Sequence, residues 1–438
     1  MRSALVCLSV AIVGCGGTAR LPVEAGMGPN PVLQPPRTSL IPIVKVAPAV
    51  GWSAGTTPVV ADGLSITALA QGLDHPRFVY VLPNGDVLVS ETNAPADRAK
   101  AKGIRGYFMA KYFKKAGAAV PSANRIIILR DRDGDGVAET RSILLHDLYS
   151  PYGVALIGDN LYVANSDAIV RYPYREGQLS ITAPGERLTA LPAGHINHHW
   201  TKTLLASPDG TKLYVSIGSN SNAGEAGEDA ERDRAMIWEV DVATGAHRVY
   251  ANGLRNAVGL AWEPTTHALW ASVNERDDLG SDLVPDYLTH VRDGAFYGWP
   301  FVYYGSHVDT RVKWMKADST HATTPDYALG PHTASLGLAS SRAAKLGAPY
   351  ADGMFVGQHG SWNRKPFSGY KVIFVPFANG QPTGALPVLV AGGFLDSRGN
   401  ARGRPVALAI DRTGALLIAD DVGNTIWRVT RRELAISR

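Results

Sequence analysis

The stretch GHINHHW at 194–200 places His195, His198 and His199 within five positions. Three roles suit such a cluster: a metal site, a catalytic base, or a polar rim. Zinc is poorly served, because no Cys, Asp or Glu lies close enough to complete a shell, and the H-x-x-H-H spacing presents no single face. A lone histidine as general base needs less, only a neutral ring nitrogen near the reacting proton. Other polar groups recur at similar places along the chain: Arg255-Asn256, Arg402-Gly403-Arg404, and the run Gln358-His359-Gly360-Ser361-Trp362-Asn363-Arg364. Several arginines with a histidine suit a polycarboxylate ligand combined with proton abstraction, because the guanidinium fork bonds carboxylates bidentately. The alternative is a set of polar loops that merely cap strands.

Two further segments carry chemistry of their own. DRDGDGVAE at 131–139 gives Asp131, Asp133 and Asp135 the 1-3-5 spacing of a calcium loop, with Gly136 at position 6. Position 12 is Ser142 rather than Glu, so the loop is either a weak separate calcium site or a tight turn. DRAKAKGIRGYFMAKYFKKAGAAV at 97–120 is helix-forming and basic. It reads as an insertion between strands, either a solvated surface helix, or a lid or docking face for a partner or anionic lipid.

The elements that must position these residues repeat six times. Each copy has a turn or proline, a small residue, an apolar run, an Asn-Gly or Asp-Gly type of turn, and a second apolar run. The copies are HPRFVYVLPNGDVLVSET (75–92), SPYGVALIGDNLYVANSDAIVRY (150–172), HHWTKTLLASPDGTKLYVSIGSN (198–220), RNAVGLAWEPTTHALWASVNERD (255–277), SLGLASSRAAKLGAPYADGMFVGQHG (335–360) and GRPVALAIDRTGALLIADDVGNTIWRV (403–429). Turn residues between alternating apolar runs are hairpin signals, and the spacing fits one multi-stranded blade per copy. The expectation is an all-β chain: a six-bladed β-propeller of four-stranded antiparallel blades, with a helical insertion, over 61–438. If the blades are equivalent, the unusual polar residues gather at one mouth.

The N-terminus reads MRSALVCLSVAIVGCGG. The apolar run Ala4–Val13 is too short to span a bilayer and reads as a signal peptide of lipoprotein type over 1–14, with Cys15 as the lipid attachment point. Residues 15–60, rich in Pro and Gly, are expected to form a flexible tether. The protein is expected to be exported, to the periplasm or cell envelope, and to meet the membrane only through that lipid. The formal charge of +4 is small for 438 residues and gives no argument for nucleic-acid binding.

On HHWTKTLLASPDGTKLYVSIGSNSN, GLRNAVGLAW, VNERDDLGSDLVPDYLTHVRDGAFYGWP, GQHGSWNR and RGRPVALA, in that order, the chain resembles the soluble sugar dehydrogenases that depend on pyrroloquinoline quinone (PQQ), nearest the L-sorbosone dehydrogenase-like branch. The resemblance implies oxidation of an aldose or related sugar aldehyde at C1, with PQQ and Ca²⁺ as cofactors and a quinone or cytochrome as electron acceptor. It implies His199 as the general base and Arg255 as the group beside the reacting quinone carbonyl. It implies Asn256, Arg402 and Arg404 as PQQ contacts, with Arg364 a further candidate. Backbone carbonyls of Glu275 and Arg276 fall where the family holds Ca²⁺, and Asp282 offers another oxygen. Ser219 stands where better-known members carry the Asp that orients the histidine. Two other classes share the architecture: propeller lactonases that hydrolyse around a calcium ion, and propellers that bind without catalysis.

Overall fold

The computed structural model describes residues 17–38, 43–99, 103–314 and 321–432. The expected signal peptide over 1–14 and Cys15 lie outside the described residues.

The repeats fold as six antiparallel blades. Blade 1 is Pro76–Val81, Val87–Glu91, Arg125–Arg130 and Thr140–Leu145. Blade 2 is Val154–Ile157, Asn160–Ala164, Ala168–Pro173 and Glu186–Ala190. Blade 3 is Leu204–Ala206, Lys212–Ile217, Met236–Asp241 and His247–Asn252. Blade 4 is Ala257–Trp262, Leu269–Val273, Pro285–His290 and Tyr327–Pro331. Blade 5 is Ser335–Ser340, Gly353–Gln358, Lys371–Ala378 and Val388–Gly392. Blade 6 is Pro405–Ile410, Leu416–Asp420 and Thr425–Arg431, completed by the early strand Leu64–Ala70, which pairs antiparallel with Thr425–Arg431. That pairing closes the ring and removes the edge that an open array would expose.

The first strands of the blades touch one another around the axis. The small residue of each repeat is explained there. A Cβ at Gly153 would collide with the Leu204 backbone, and one at Gly337 with the Val406 carbonyl. Apolar side chains fill the wedges between neighbouring blades, as where Leu161 and Val163 of blade 2 meet Leu88 and Ile128 of blade 1. On the axis, Tyr152, Trp200, Val258, Leu336 and Val406 form an apolar plug contributed by five blades.

The basic insertion forms the helix Gly103–Lys115 between the second and third strands of blade 1. It stops at Gly117, whose φ of 76° suits a residue without Cβ. Ala118 N–H donates to the Phe113 carbonyl (3.0 Å) and Gly117 N–H to that of Lys114 (3.2 Å), which satisfies the last turn.

Residues 17–38 and 43–60 correct the expectation of a flexible tether. Met27–Gly28 adds to the outer edge of blade 4 and Val59–Val60 to that of blade 5. Between them the segment crosses the propeller face. Lys45 N–H donates to the Trp362 carbonyl (2.7 Å) and Val50 N–H to that of Ala401 (2.8 Å). A segment without regular period can lie as a strap, because sheet edges and loop carbonyls satisfy its backbone.

Candidate active site

In an antiparallel blade the start of the first strand and the end of the second lie at the same end. His199, Arg255, Asn256, Arg402 and Arg404 precede first strands, and Ser219, Glu275 and His359 follow second strands. The topology therefore brings them to one mouth. His199 directly precedes Trp200, and Asn256 and Arg404 lie two residues before Val258 and Val406, so all three flank the axial plug.

His199 is held on three sides. Its backbone N–H donates to the Ser219 carbonyl (3.2 Å), and its own carbonyl accepts from Arg234 Nη2 (2.8 Å). Its Nδ1 lies 2.9 Å from the Ser219 carbonyl oxygen and 3.0 Å from the Ser219 hydroxyl. That hydroxyl donates to the Ser221 carbonyl (2.7 Å) and so presents a lone pair to the ring. Both groups facing Nδ1 are acceptors. The proton is therefore assigned to Nδ1, which leaves Nε2 as the lone-pair nitrogen. Burial pushes the imidazole well below its ordinary range, and the Arg255 guanidinium and His198 add to this. His198 is pushed down to about 4 by burial and Arg255. His199 is thus held as a neutral imidazole with a fixed tautomer, oriented by the Ser219 carbonyl and hydroxyl. Gly218 must be glycine, because a Cβ there would strike both Asn256 Oδ1 and His199.

Arg404 is buried, and its Nε and Nη2 have no hydrogen-bond partner among the described residues. Its guanidinium lies over the rings of Tyr370 (5.1 Å) and Trp362 (5.9 Å). Asp420 fixes its backbone: Oδ1 accepts from Arg404 N–H (2.8 Å) while Oδ2 accepts from Trp52 Nε1 (2.7 Å). A buried, unpaired guanidinium is costly unless an anion joins it. Asn256 Oδ1 is orphaned as well. These groups fit a ligand that carries carboxylates and a polar ring, as PQQ does. Arg402 is half-buried beside them.

Arg255 is buried and largely engaged. Nε donates to the Asn222 carbonyl (3.0 Å), Nη2 to Asn222 Oδ1 (3.1 Å), and Nη1 to the carbonyls of Asn274 (3.2 Å) and Glu275 (2.8 Å). This bears on calcium. The Glu275 carbonyl is met by a guanidinium, and Arg276 is wholly buried on the Glu275 carboxylate, the carbonyls of Pro300 and Val302, and Asp309. Asp282 accepts from Arg20 N–H (2.6 Å) and faces Arg364 (3.5 Å). His332 completes the loop: Nδ1 meets Asp277 (3.0 Å) and Nε2 the Gly280 carbonyl (2.8 Å). Both partners are acceptors, so the ring carries two protons. Burial opposes that charge, but Asp277 and the carbonyl outweigh it and raise the His332 pKa. The Arg255 guanidinium occupies the Glu275 carbonyl, one of the six to eight oxygens that a calcium ion would need. Of the expected calcium ligands, the Glu275 carbonyl and the Asp282 carboxylate are engaged by protein donors as arranged.

Arg364 is also corrected. Its Nη2 donates to the Leu21 carbonyl (2.9 Å) and Nη1 to that of Pro366 (3.2 Å), so it clamps the N-terminal strap instead of lining the mouth. Asp131, Asp133 and Asp135 do converge, joined by Glu139, with one ligand atom each within 4.8 Å of the others. They lie between the third and fourth strands of blade 1, at the end opposite His199. Asp131 caps Gly134 and Gly136 N–H at 2.7 and 2.8 Å, as a tight turn requires.

One cluster joins His359 to partners that carry no signal in the sequence. Buried Asp421 accepts from Arg77 Nη1 (2.5 Å) and His359 Nε2 (2.9 Å), with His75 Nε2 at 3.7 Å. Burial works against its charge, yet His359, His75 and Arg77 hold its carboxyl far below the carboxylate range. Arg77 also lies over Trp200 (5.9 Å), which joins this cluster to the plug under His199.

Fold and site together define a closed propeller whose one mouth holds a buried, unpaired guanidinium and a buried, neutral histidine. The chain belongs to the TrAA12-like family, whose sequence profile it matches over residues 121–288 and 307–432. An uncharacterized protein of Borreliella burgdorferi is 28% identical over 292 residues, 64% of this chain and 76% of that one. The "Pyrroloquinoline quinone-dependent pyranose dehydrogenase" of Coprinopsis cinerea is 22% identical over 364 residues, 72% of this chain but 44% of that protein. The chain thus spans less than half the length of that dehydrogenase. Among solved structures, the Trichoderma reesei enzyme of Carbohydrate-Active Enzymes Family AA12 aligns with a TM-score of 0.68 at 19% identity, covering 89% of this chain and 99% of that one. The holo PQQ domain of the Coprinopsis cinerea pyranose dehydrogenase aligns at 0.66 and 20%, covering 88% and 100%. At these identities the likeness establishes the fold.

Proposed function

We propose that this protein is a PQQ-dependent oxidoreductase that oxidises an aldose or related sugar aldehyde at C1, with His199 as general base. The observation that carries the reading is the buried guanidinium of Arg404, unpaired and ringed on the same plug as the neutral His199. The named relatives, which are PQQ-dependent pyranose and sugar dehydrogenases, support it.

Arg404, with Arg402 beside it, would grip carboxylates of the cofactor, and Asn256 would contact its ring system. When bound, PQQ supplies a quinone able to accept a hydride. His199 Nε2 would take the proton from the C1 hydroxyl as that hydride leaves. Ser219 holds the ring in the required tautomer throughout. Burial and Arg255 disfavour the imidazolium, so the proton is held only transiently. Arg255 lies at the same edge and would stabilise negative charge as it develops. The axial plug closes the floor beneath the site and limits water access from below. No step is routed through calcium, for the reason given above. A quinone or cytochrome would serve as the electron acceptor. In this reading the protein works outside the cytoplasm, anchored by lipid at Cys15.

The lactonase reading needs acidic ligands around a central ion. At this mouth Asp277 and Asp421 are each paired with protein cations, which speaks against it. The test is titration of the purified protein with PQQ, followed by dye reduction over a panel of aldoses and aldehydes. Turnover that needs PQQ supports the proposal. Tight PQQ binding with no turnover on any substrate favours a binding module, and absence of PQQ binding overturns the reading.

A further inference from the structure

The helix Gly103–Lys115 has two unlike faces. Its inner face is seated on the rim of the mouth. Phe113 packs on Trp362 (5.3 Å between ring centres), the same tryptophan that lies under Arg404. Just before the helix, Arg98 Nη1 donates to the His198 carbonyl (3.0 Å) and Ala99 N–H to that of His195 (2.8 Å). The outer face consists of Tyr107 and Phe108, 68% and 49% exposed, together with exposed Lys111, Lys114 and Lys115. Those positions run i, i+1, i+4, i+7 and i+8, which is one stripe along a helix. Water favours neither an exposed phenylalanine nor an exposed tyrosine ring here, and nothing described covers them.

Along the sequence, the charge flanking this stripe is all of one sign. Arg98, Lys100, Lys102, Arg105, Lys111, Lys114 and Lys115 fall in a segment that has no Asp or Glu from 98 to 120. The whole chain carries only +4, so the positive excess is concentrated in this segment of the sequence. Lysines flanking aromatic rings on one helical face fit the boundary of an anionic bilayer, where rings enter the headgroup layer and ammonium groups meet phosphates.

The strap gives a second, independent pointer to the same face. The Gly17 carbonyl accepts from Ser281 Oγ, and Ala19 N–H donates to the Lys365 carbonyl (2.7 Å). Ser281 and Lys365 belong to the loops after the second strands of blades 4 and 5, at the mouth end. Cys15 is two residues from Gly17, a reach of roughly 7 Å at full extension. A lipid at Cys15 would leave the protein on the side where the basic aromatic stripe lies.

We infer that the helix Gly103–Lys115 is a docking surface for an anionic membrane, which seats the propeller with its catalytic mouth turned toward the bilayer. The proposal does not depend on PQQ or on the substrate. It is tested with the full chain carrying Cys15→Ala, so that no lipid attaches. Sedimentation is measured with vesicles of phosphatidylcholine alone and of phosphatidylcholine with phosphatidylglycerol. Residues 1–16 are the same in every arm, so the quantity read is the difference between vesicle types and between variants. Binding should be stronger to the anionic vesicles and should weaken with added salt. K111E/K114E/K115E should weaken the anionic preference by about a hundredfold, from roughly fivefold per lysine lost. Y107S/F108S changes only exposed rings and should weaken binding to the anionic vesicles at least fivefold, which keeps the test valid should the charge reversal misfold. Equal sedimentation with both vesicle types overturns the proposal, as does binding to anionic vesicles that both variants retain undiminished. Binding to a soluble acidic protein without any anionic-vesicle preference also overturns it.

Discussion

His199 Nδ1 and the Ser219 carbonyl oxygen are 2.9 Å apart, with the Ser219 hydroxyl at 3.0 Å from the same nitrogen. Two acceptors fix the tautomer without adding charge. His199→Asn should lower kcat by about 10²- to 10⁴-fold, the usual worth of a general base. PQQ affinity should stay within a few-fold, measured by titration. Loss of affinity equal to the loss of turnover would mean that His199 binds rather than catalyses.

The pH profile follows from the same geometry. The His199 pKa lies below its ordinary range, through burial first and Arg255 second. A base must be deprotonated to act, so activity persists as pH falls and is lost only on passing through the lowered pKa. The acid limb of kcat/KM should therefore lie below pH ~6.5, the unperturbed value. Ser219→Ala should leave it nearly in place, because the carbonyl remains. Ser219→Asp adds negative charge and should move the limb upward. A limb that stays put in Ser219→Asp would detach Ser219 from the base.

Arg404→Met removes a buried cation whose Nε and Nη2 lack partners. Without cofactor the variant should be as stable as the parent or more so, because an apolar chain replaces an uncompensated charge. PQQ affinity should fall by at least tenfold. Melting temperatures with and without PQQ check both halves, and a destabilised cofactor-free protein would show that Arg404 has a structural partner.

Asp421→Asn should do the opposite. Its carboxylate pairs with Arg77 and accepts from His359, with His75 beside it, so neutralising it strands the Arg77 charge. A loss of about 3 kcal/mol is expected in denaturant unfolding. The contribution is present above the unfolded carboxylate pKa and disappears as pH falls through the depressed folded value. The difference between parent and variant should therefore shrink in strong acid. A variant as stable as the parent at neutral pH would mean the cluster is not coupled.

Chelation tests the loop around Glu275. With Arg255 on the Glu275 carbonyl, Arg276 on the Glu275 carboxylate and His332 on the Gly280 carbonyl, PQQ affinity should be unchanged by excess EDTA. A tenfold gain on adding calcium would show that Arg255 leaves that carbonyl when the ion enters.

The sequence by itself determined the propeller and half of the site. Period-two apolar runs with Asp-Gly and Asn-Gly turns specify hairpins, and the recurring small residue marks where inner strands crowd, as Gly153 against Leu204 and Gly337 against Val406 show. His199, Asn256 and Arg404 were legible because each precedes a first strand, and six equivalent blades put those places at one mouth. The tertiary structure decided which charges meet. Asp421 and Arg77 are 344 residues apart, and Arg364 binds a carbonyl 343 residues away. Alternation along a strand reports which side chains are buried, but not their partners across the ring. Closure alone brings blade 6 against blade 1 and lays the N-terminal strap over blades 4 and 5. The same closure made Arg255, Arg276 and His332 the cations of a loop whose sequence had suggested a metal.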